Sequence, residues 1–297
     1  MSEGLSASLR RFQELCDRRG ERHFACRGSL FRVFSGVARP IGPVTQGHAL
    51  SDAEAREVMR ALGARVVMWT DGCDESKQTD WYAVICKSFT PLEEMNSDRR
   101  RGIRRGLQNC VVRRLDADFV ASHGYEVYVK AYERYKGGAT PLWDEDGFRA
   151  YFAASRDFPD ITHYWGAFHR DRLIALVANN VYDKTEVTYW MIKLHPEFLA
   201  LNAGSALIHV MNQYYLADQG YAYVNDGWRT LVHQTAIQDF LIRKFGFFRI
   251  CTNLTARYRP PLGWFVRATF PLRQRLGRLH PHLAALYALE EAARKRG

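Results

Sequence analysis

The sequence is short of the patterns that announce a metal site, a membrane span or a repeat. Its six cysteines, Cys16, Cys26, Cys73, Cys86, Cys110 and Cys251, form no C-x-x-C pair, and none falls beside histidines at zinc-ligand spacing. They read as reduced, structural residues, and no metal is expected. The longest uncharged run, Phe198 to Ala217, is long enough for a membrane helix. It holds Asn202, His209, Asn212 and Gln213, each of which would need a polar partner in lipid. It reads instead as a loop and a buried helix. The first nineteen residues are polar and charged, without the apolar stretch and small-residue cleavage site of a signal peptide. No low-complexity tract and no short-period repeat is present. A cytoplasmic location is expected, with room for contact at the inner face of the membrane.

What remains is an ordinary globular composition, 47% hydrophobic and 25% charged over 297 residues, enough for a sizeable core. The net charge of +10 is uneven. Residues 96–114 hold seven arginines against Asp98, and residues 256–297 hold eight arginines and a lysine against Glu290 and Glu291. The rest of the chain is net negative. Charge gathered this way attracts polyanions: nucleic acid, anionic lipid or a phosphorylated substrate. A solvated basic face with no partner is the alternative. In the tail, Trp264, Phe265, Val266 and Phe270 beside Arg267, Arg273 and Arg275 fit a membrane surface.

The pattern of elements is mixed α and β. A helix covers residues 8–19, and residues 23–35 alternate as strands do. Pro40-Ile41-Gly42-Pro43 reads as a breaker. Ser51 and Glu54 form a capping box for a helix that Gly63 ends. Strands follow at 64–70 and 81–88. A helix opening at Thr90-Pro91 carries the arginine cluster, with Ile103 and Leu107 as its inward face and Arg101, Arg104 and Arg105 together on one side. Helices at 119–136 and 144–155 precede strands 161–168, 172–182 and 185–193, joined by tight turns at Arg170-Asp171 and Asp183-Lys184. Helix 204–219, strand 221–225, helix 234–244 and strand 247–254 complete the series.

This ααβββαβαβ order resembles the GNAT acyltransferase fold. Strand 185–193 with Tyr189, Trp190 and Met191, then Leu194-His195-Pro196-Glu197, then Asn202-Ala203-Gly204-Ser205-Ala206-Leu207, is similar to that family's strand, proline and Gly-x-Gly/Ala signature. Arg100-Arg101-Gly102-Ile103-Arg104-Arg105-Gly106, Asn225-Asp226-Gly227 and Lys244-Phe245-Gly246-Phe247 resemble motifs of the Fem-like branch, whose members include aminoacyl-tRNA-dependent transferases. Two departures stand out. Leu201 replaces the usual Gln or Arg, and Ile242 occupies the position where many members place a tyrosine acid.

The resemblance implies an α/β (α+β) GNAT fold with two tandem GNAT-like halves around mixed sheets. The expected division is an N-terminal half over 1–116, a C-terminal acyltransferase half over 117–255 and a basic helical tail over 256–297. It further implies an N-acyltransferase using acyl-CoA or aminoacyl-tRNA as donor, and an amine-bearing small molecule or peptide as acceptor. Donor contacts would come from Tyr189, Trp190 and Met191 and from the amides of Gly204, Ser205 and Ala206. A helix start supports the latter independently, since its unpaired N–H groups and positive dipole end favour phosphate. Which of Tyr189 and Trp190 lines the groove and which is core stays open. Asp226 and His233 are the candidate bases; Arg229, Arg101, Arg104 and Arg105 are candidate anion contacts. A non-catalytic GNAT scaffold that binds nucleic acid or an anionic membrane is the competing reading.

Overall fold

The computed structural model describes residues 4–133, 141–229 and 237–295. In chain order the first elements are α1 (Ala7–Arg19), β1 (His23–Cys26), β2 (Ser29–Phe34), β3 (Val37–Ile41), α2 (Asp52–Leu62), β4 (Val66–Thr70) and β5 (Trp81–Cys86). The middle holds α3 (Ser97–Asn109), β6 (Val111–Leu115), α4 (Ala117–His123), α5 (Tyr125–Tyr132), α6 (Glu145–Ala153), β7 (Thr162–His169), β8 (Arg172–Tyr182) and β9 (Glu186–Leu194). Then come α7 (Ala203–Asn212), β10 (Tyr223–Trp228), α8 (Ile237–Phe245), β11 (Phe248–Thr252), β12 (Leu254–Tyr258), α9 (Leu262–Thr269), α10 (Arg273–Leu276) and α11 (Pro281–Arg294).

The chain forms two compact units. One comprises Met1–Val84, Gly227–Asp239 and Phe248–Gly297; the other comprises Ile85–Asp226 and Phe240–Phe247. This division differs from the one expected from sequence: the arginine-rich helix sits in the second unit, and the tail belongs to the first.

The first unit is built on a sheet of order β1-β2-β3-β4-β12. β1, β2 and β3 form an antiparallel meander. β4 lies parallel to β3, and α2 supplies the crossover that a parallel connection requires. The expected capping box is present: Ser51 Oγ accepts from the Glu54 amide, and Glu54 reaches back to the Ser51 amide. All five residues of β4 are buried, because both sheet faces are covered. Val67 and Trp69 pack with Val58, Met59 and Leu62 of α2. Val66 and Met68 pack with Leu254, Val266, Tyr287 and Leu289 from the chain's last segment. The basic tail is therefore no appendage: it contributes β12 to the sheet and a core layer beneath it. Pro40, expected to break the chain, lies within β3. It pairs with Phe31 on the β2 side, while pairing with β4 stops at Ala38. The missing N–H thus falls where no ladder bond is needed.

The second unit carries β10-β9-β8-β7-β6, antiparallel from β6 to β9 and parallel between β9 and β10. The helices α4, α5 and α6 pack one face with Val120, Tyr128, Phe148 and Phe152 against Tyr164, Leu176, Ala178 and Met191. The opposite face receives α7, against which α3 lies. Two helices replace the single one expected over 119–136. They meet at Gly124, where a Cβ would stand 2.7 Å from the Val120 carbonyl and 3.0 Å from both Leu176 and Phe148.

Candidate functional site

The site takes shape where β9 and β10 part. The two strands pair at Tyr223–Glu186, Val224–Val187 and Asn225–Thr188, and there the pairing ends. β9 continues to Leu194 paired with β8, while its pairing with β10 does not extend past Thr188. A bulge falls at the same point: Asn179 pairs with Tyr189 and Ala178 with Met191, leaving Trp190 as the extra residue. Bulges bend a strand and increase its twist, which is how β9 leaves its parallel neighbour. A chain of side chains closes the base of the fork. Asn225, fully buried, donates to Thr188 Oγ1 at 3.2 Å, and Thr188 donates to the buried carboxylate of Glu186 at 2.7 Å. None of these three was legible as functional in the sequence.

The bulge gives the two aromatics different surroundings. Tyr189 is core: it is 2% exposed, its hydroxyl donates to Asn212 Oδ1 at 2.8 Å, and burial holds its proton firmly. Trp190 turns the other way and is half-buried, with its ring 6.1 Å from that of Tyr151. Met191 is buried in the same layer.

Beneath Tyr189 lies a buried polar network on the face toward α7, in which Asn179 Oδ1 has no hydrogen-bond partner among the described residues. Tyr215 sits in a π-helical turn (Gln213–Asp218) that extends α7. Its hydroxyl accepts from Trp165 Nε1 at 2.8 Å and Asn179 Nδ2 at 3.1 Å. With both lone pairs used, it donates its proton to His163 Nδ1 at 3.1 Å. His163 and Asn179 face each other across β7 and β8, and Asn179 faces Tyr189 across β8 and β9, so the network braces the three strands at the bulge. Burial pushes the His163 imidazole down to about 3, which keeps it neutral.

The far wall of the site is the start of α7. A 3-10 turn (Pro196–Leu201) leads to Asn202, whose left-handed backbone (φ 61°) redirects the chain; Asn tolerates this conformation better than most residues. The Asn202 carbonyl accepts from the amides of Ser205 and Ala206 at 3.0 and 3.2 Å. Two of the three amides expected to meet phosphate are therefore tied into the first turn. Gly204 is half-buried, with Leu194 beside the place a Cβ would occupy.

The arginine-rich helix α3 packs on this same turn. It starts later than expected, at Ser97, where the Asn96 side chain accepts from the Arg99 amide. Its inward face is Ile103 and Gly106, and Leu107 is 36% exposed rather than buried. A Cβ on Gly106 would stand 2.5 Å from the Asn202 carbonyl and 3.0 Å from the Ala206 methyl, so only glycine allows this approach. Arg101, Arg104 and Arg105 are exposed on the outer side. Asp98 is held in its charged form by Lys244 and, more weakly, by Arg101 at 3.6 Å.

Of the remaining described candidates, Asp226 adjoins the fork and Arg229 does not. Asp226 is half-buried, directly after the Asn225–Thr188 pair and before Gly227. Arg229 belongs to the other unit, where its guanidinium donates to the Asp80 carbonyl at 2.7 Å and its amide to Tyr82. His233 lies outside the described residues. Lys193, not singled out in the sequence, is 7% exposed with its ammonium 4.0 Å from the Tyr132 ring, and burial lowers its pKa to about 8.

A parallel strand pair that parts at a bulge, followed by a turn and a helix start, defines the GNAT fold class, here within a chain of two sheets. One solved structure agrees in fold. The chain resembles FemX with a TM-score of 0.52 and 11% identity over 91% of this chain and 93% of that one. It is also similar to a tandem GNAT protein from the clavulanic acid biosynthesis pathway (TM-score 0.44, 12% identity, 80% and 82% covered). A further likeness is to the C-terminal domain (DUF2156) of a putative lysylphosphatidylglycerol synthetase from Agrobacterium fabrum (TM-score 0.46, 11% identity, 72% of each chain). No protein-family profile and no curated protein matches the sequence.

Proposed function

We propose that this protein is an N-acyltransferase that moves an acyl or aminoacyl group directly from a phosphate-bearing carrier, coenzyme A or tRNA, to an amine. The observation that carries this reading is the fork at Thr188–Asn225, where the pairing of β9 with β10 ends and β9 runs on beside β8. An acyl carbonyl laid along that edge would find N–H donors for the developing oxyanion. The neutral amine attacks the carbonyl carbon and a C–N bond forms. The carrier's C–S or C–O bond breaks, and the amine's surplus proton passes to a base. Asp226, one residue past the fork, supports a role in that proton transfer; His233 is the alternative base. The tight seat of α3 at Gly106 supports a polyanionic carrier, because it holds Arg101, Arg104 and Arg105 on the helix that abuts α7.

The test compares two variants with the parent protein, using acetyl-CoA and aminoacyl-tRNA as donors and a panel of amines. Asp226→Asn should slow the chemical step by about 10²-fold or more, the scale of general base catalysis, with donor binding retained. Gly204→Asp, which adds bulk and negative charge at the start of α7, should abolish donor binding while the fold persists by circular dichroism. Full donor binding in Gly204→Asp, or no transfer by the parent protein from either donor, would refute the reading.

A further inference from the structure

The chain's last segment presents an outer face that the transfer site does not use. The inward side of α9 is settled by packing: Val266 is fully buried against Met68, Leu254 and Tyr258, and Gly263 is buried beside Tyr258. Trp264 and Phe265 must then point outward, and they are 68% and 45% exposed. Leu272 and Leu279, further along, are 52% and 74% exposed. Isolated exposed apolar residues are common, but large ones recurring along one short segment mark an interaction surface.

The charges of the segment are sorted in the same sense. From Arg259 to Leu289 there are five arginines and no acidic residue. The acids that follow are already paired: Glu290 with Arg294 at 2.8 Å, and Glu291 with Arg273 and Lys295 at 3.3 and 3.4 Å. Arg273 and Arg294 both sit over the Phe270 ring, at 4.5 and 3.9 Å. Arg267, Arg275 and Arg278 are left exposed, with no ion-pair partner among the described residues. No helix among the described residues is long and apolar enough to cross a membrane, so any contact with lipid would be at its surface.

From these two observations we infer that the face formed by Trp264, Phe265, Leu272 and Leu279 with Arg267, Arg275 and Arg278 docks on an anionic phospholipid surface. Tryptophan belongs at the headgroup level, where its ring is apolar and its N–H meets water. Phenylalanine and leucine reach the acyl boundary, and arginines meet lipid phosphates. A nucleic acid would use the arginines but has no use for exposed leucines, and a second copy of this chain would bring the same positive charge to the contact.

Deleting the segment would remove part of the first unit's core, so the test uses outward-facing substitutions. Co-sedimentation is measured with vesicles of phosphatidylcholine alone and of an equimolar mixture with phosphatidylglycerol. The parent protein should bind the mixture and not phosphatidylcholine. The triple variant Arg267→Gln, Arg275→Gln, Arg278→Gln should bind on the order of a hundredfold more weakly, since each basic side chain near an anionic surface contributes about a factor of five. Trp264→Ser with Phe265→Ser should lose binding by at least about tenfold while keeping the parent's melting temperature. Equal binding to both vesicle types, or binding that neither variant alters, would overturn the inference. So would a concentration-dependent dimer abolished by Trp264→Ser and Phe265→Ser, or binding to RNA that the arginine variant loses while vesicle binding stays absent.

Discussion

Gly102 and Gly106 occupy the same helix one turn apart, and the structure assigns them opposite responses to the same substitution. A Cβ on Gly102 meets nothing within 4 Å. Alanine there adds helix propensity and removes freedom from the unfolded chain, so Gly102→Ala should stabilise by roughly 0.5–1 kcal/mol. A Cβ on Gly106 would stand 2.5 Å from the Asn202 carbonyl oxygen and 3.2 Å from the Ala206 amide nitrogen. Both belong to backbone, which cannot rotate aside as a side chain can. Inserting a methylene into a packed interface costs about 1–3 kcal/mol, and more when the obstacle is rigid. Even after the propensity gain, Gly106→Ala should be destabilised by about 1–2 kcal/mol. For a unit of this size each kcal/mol is worth about 2–4 °C in melting temperature, so the two variants should part by at least about 3 °C, one above the parent and one below. Differential scanning fluorimetry with urea titration measures this directly. A Gly106→Ala protein that melts at or above the parent would refute the packing of α3 on the first turn of α7, and with it the placement of the arginine face.

Tyr215→Phe removes the hub of a buried network, stranding Trp165 Nε1 and His163 Nδ1 and leaving Asn179 Nδ2 only the Met211 sulfur; at about 1–3 kcal/mol for each unsatisfied group it should cost at least about 2 kcal/mol in urea unfolding, and a smaller effect would mean these bonds do not hold the strands. The pH dependence follows from His163, whose folded pKa of about 3 lies below the unfolded value of 6.5. Protons then bind the unfolded chain more readily, so stability holds above about pH 6.5 and falls as pH drops toward 3, by an amount on the order of a few kcal/mol that His163→Gln should diminish. Replacing Arg101, Arg104 and Arg105 with Gln should flatten the salt dependence of tRNA binding by roughly 0.7–0.9 in the log–log slope for each phosphate that is no longer neutralised; an unchanged slope would leave these arginines as solvated surface.

The sequence by itself determined the features that depend on neighbours along the chain. Ser51 and Glu54 cap α2, Gly63 ends it, and the three-strand meander with its turns at Arg170-Asp171 and Asp183-Lys184 stands where alternation and turn residues put it. The tertiary structure decided whatever depends on a distant partner. β12 is a strand because β4, nearly two hundred residues earlier, offers it an edge, and the basic tail is core on its inner side because the sheet's second face had to be covered. Gly106, a poor helix former by propensity, is a point of close approach. The arginine count on α3 said nothing of which face is inward; Ile103 with Gly106, rather than Ile103 with Leu107, follows from the shape of α7. Tyr189 and Trp190 alternate in sequence, yet one is sealed in the core and the other set at a bulge, because register with β8 slips between them. Alternation and capping act over a few residues, and composition can encode them. Register, close approach and the covering of a face are properties of two surfaces meeting, and one stretch of sequence carries only one of them.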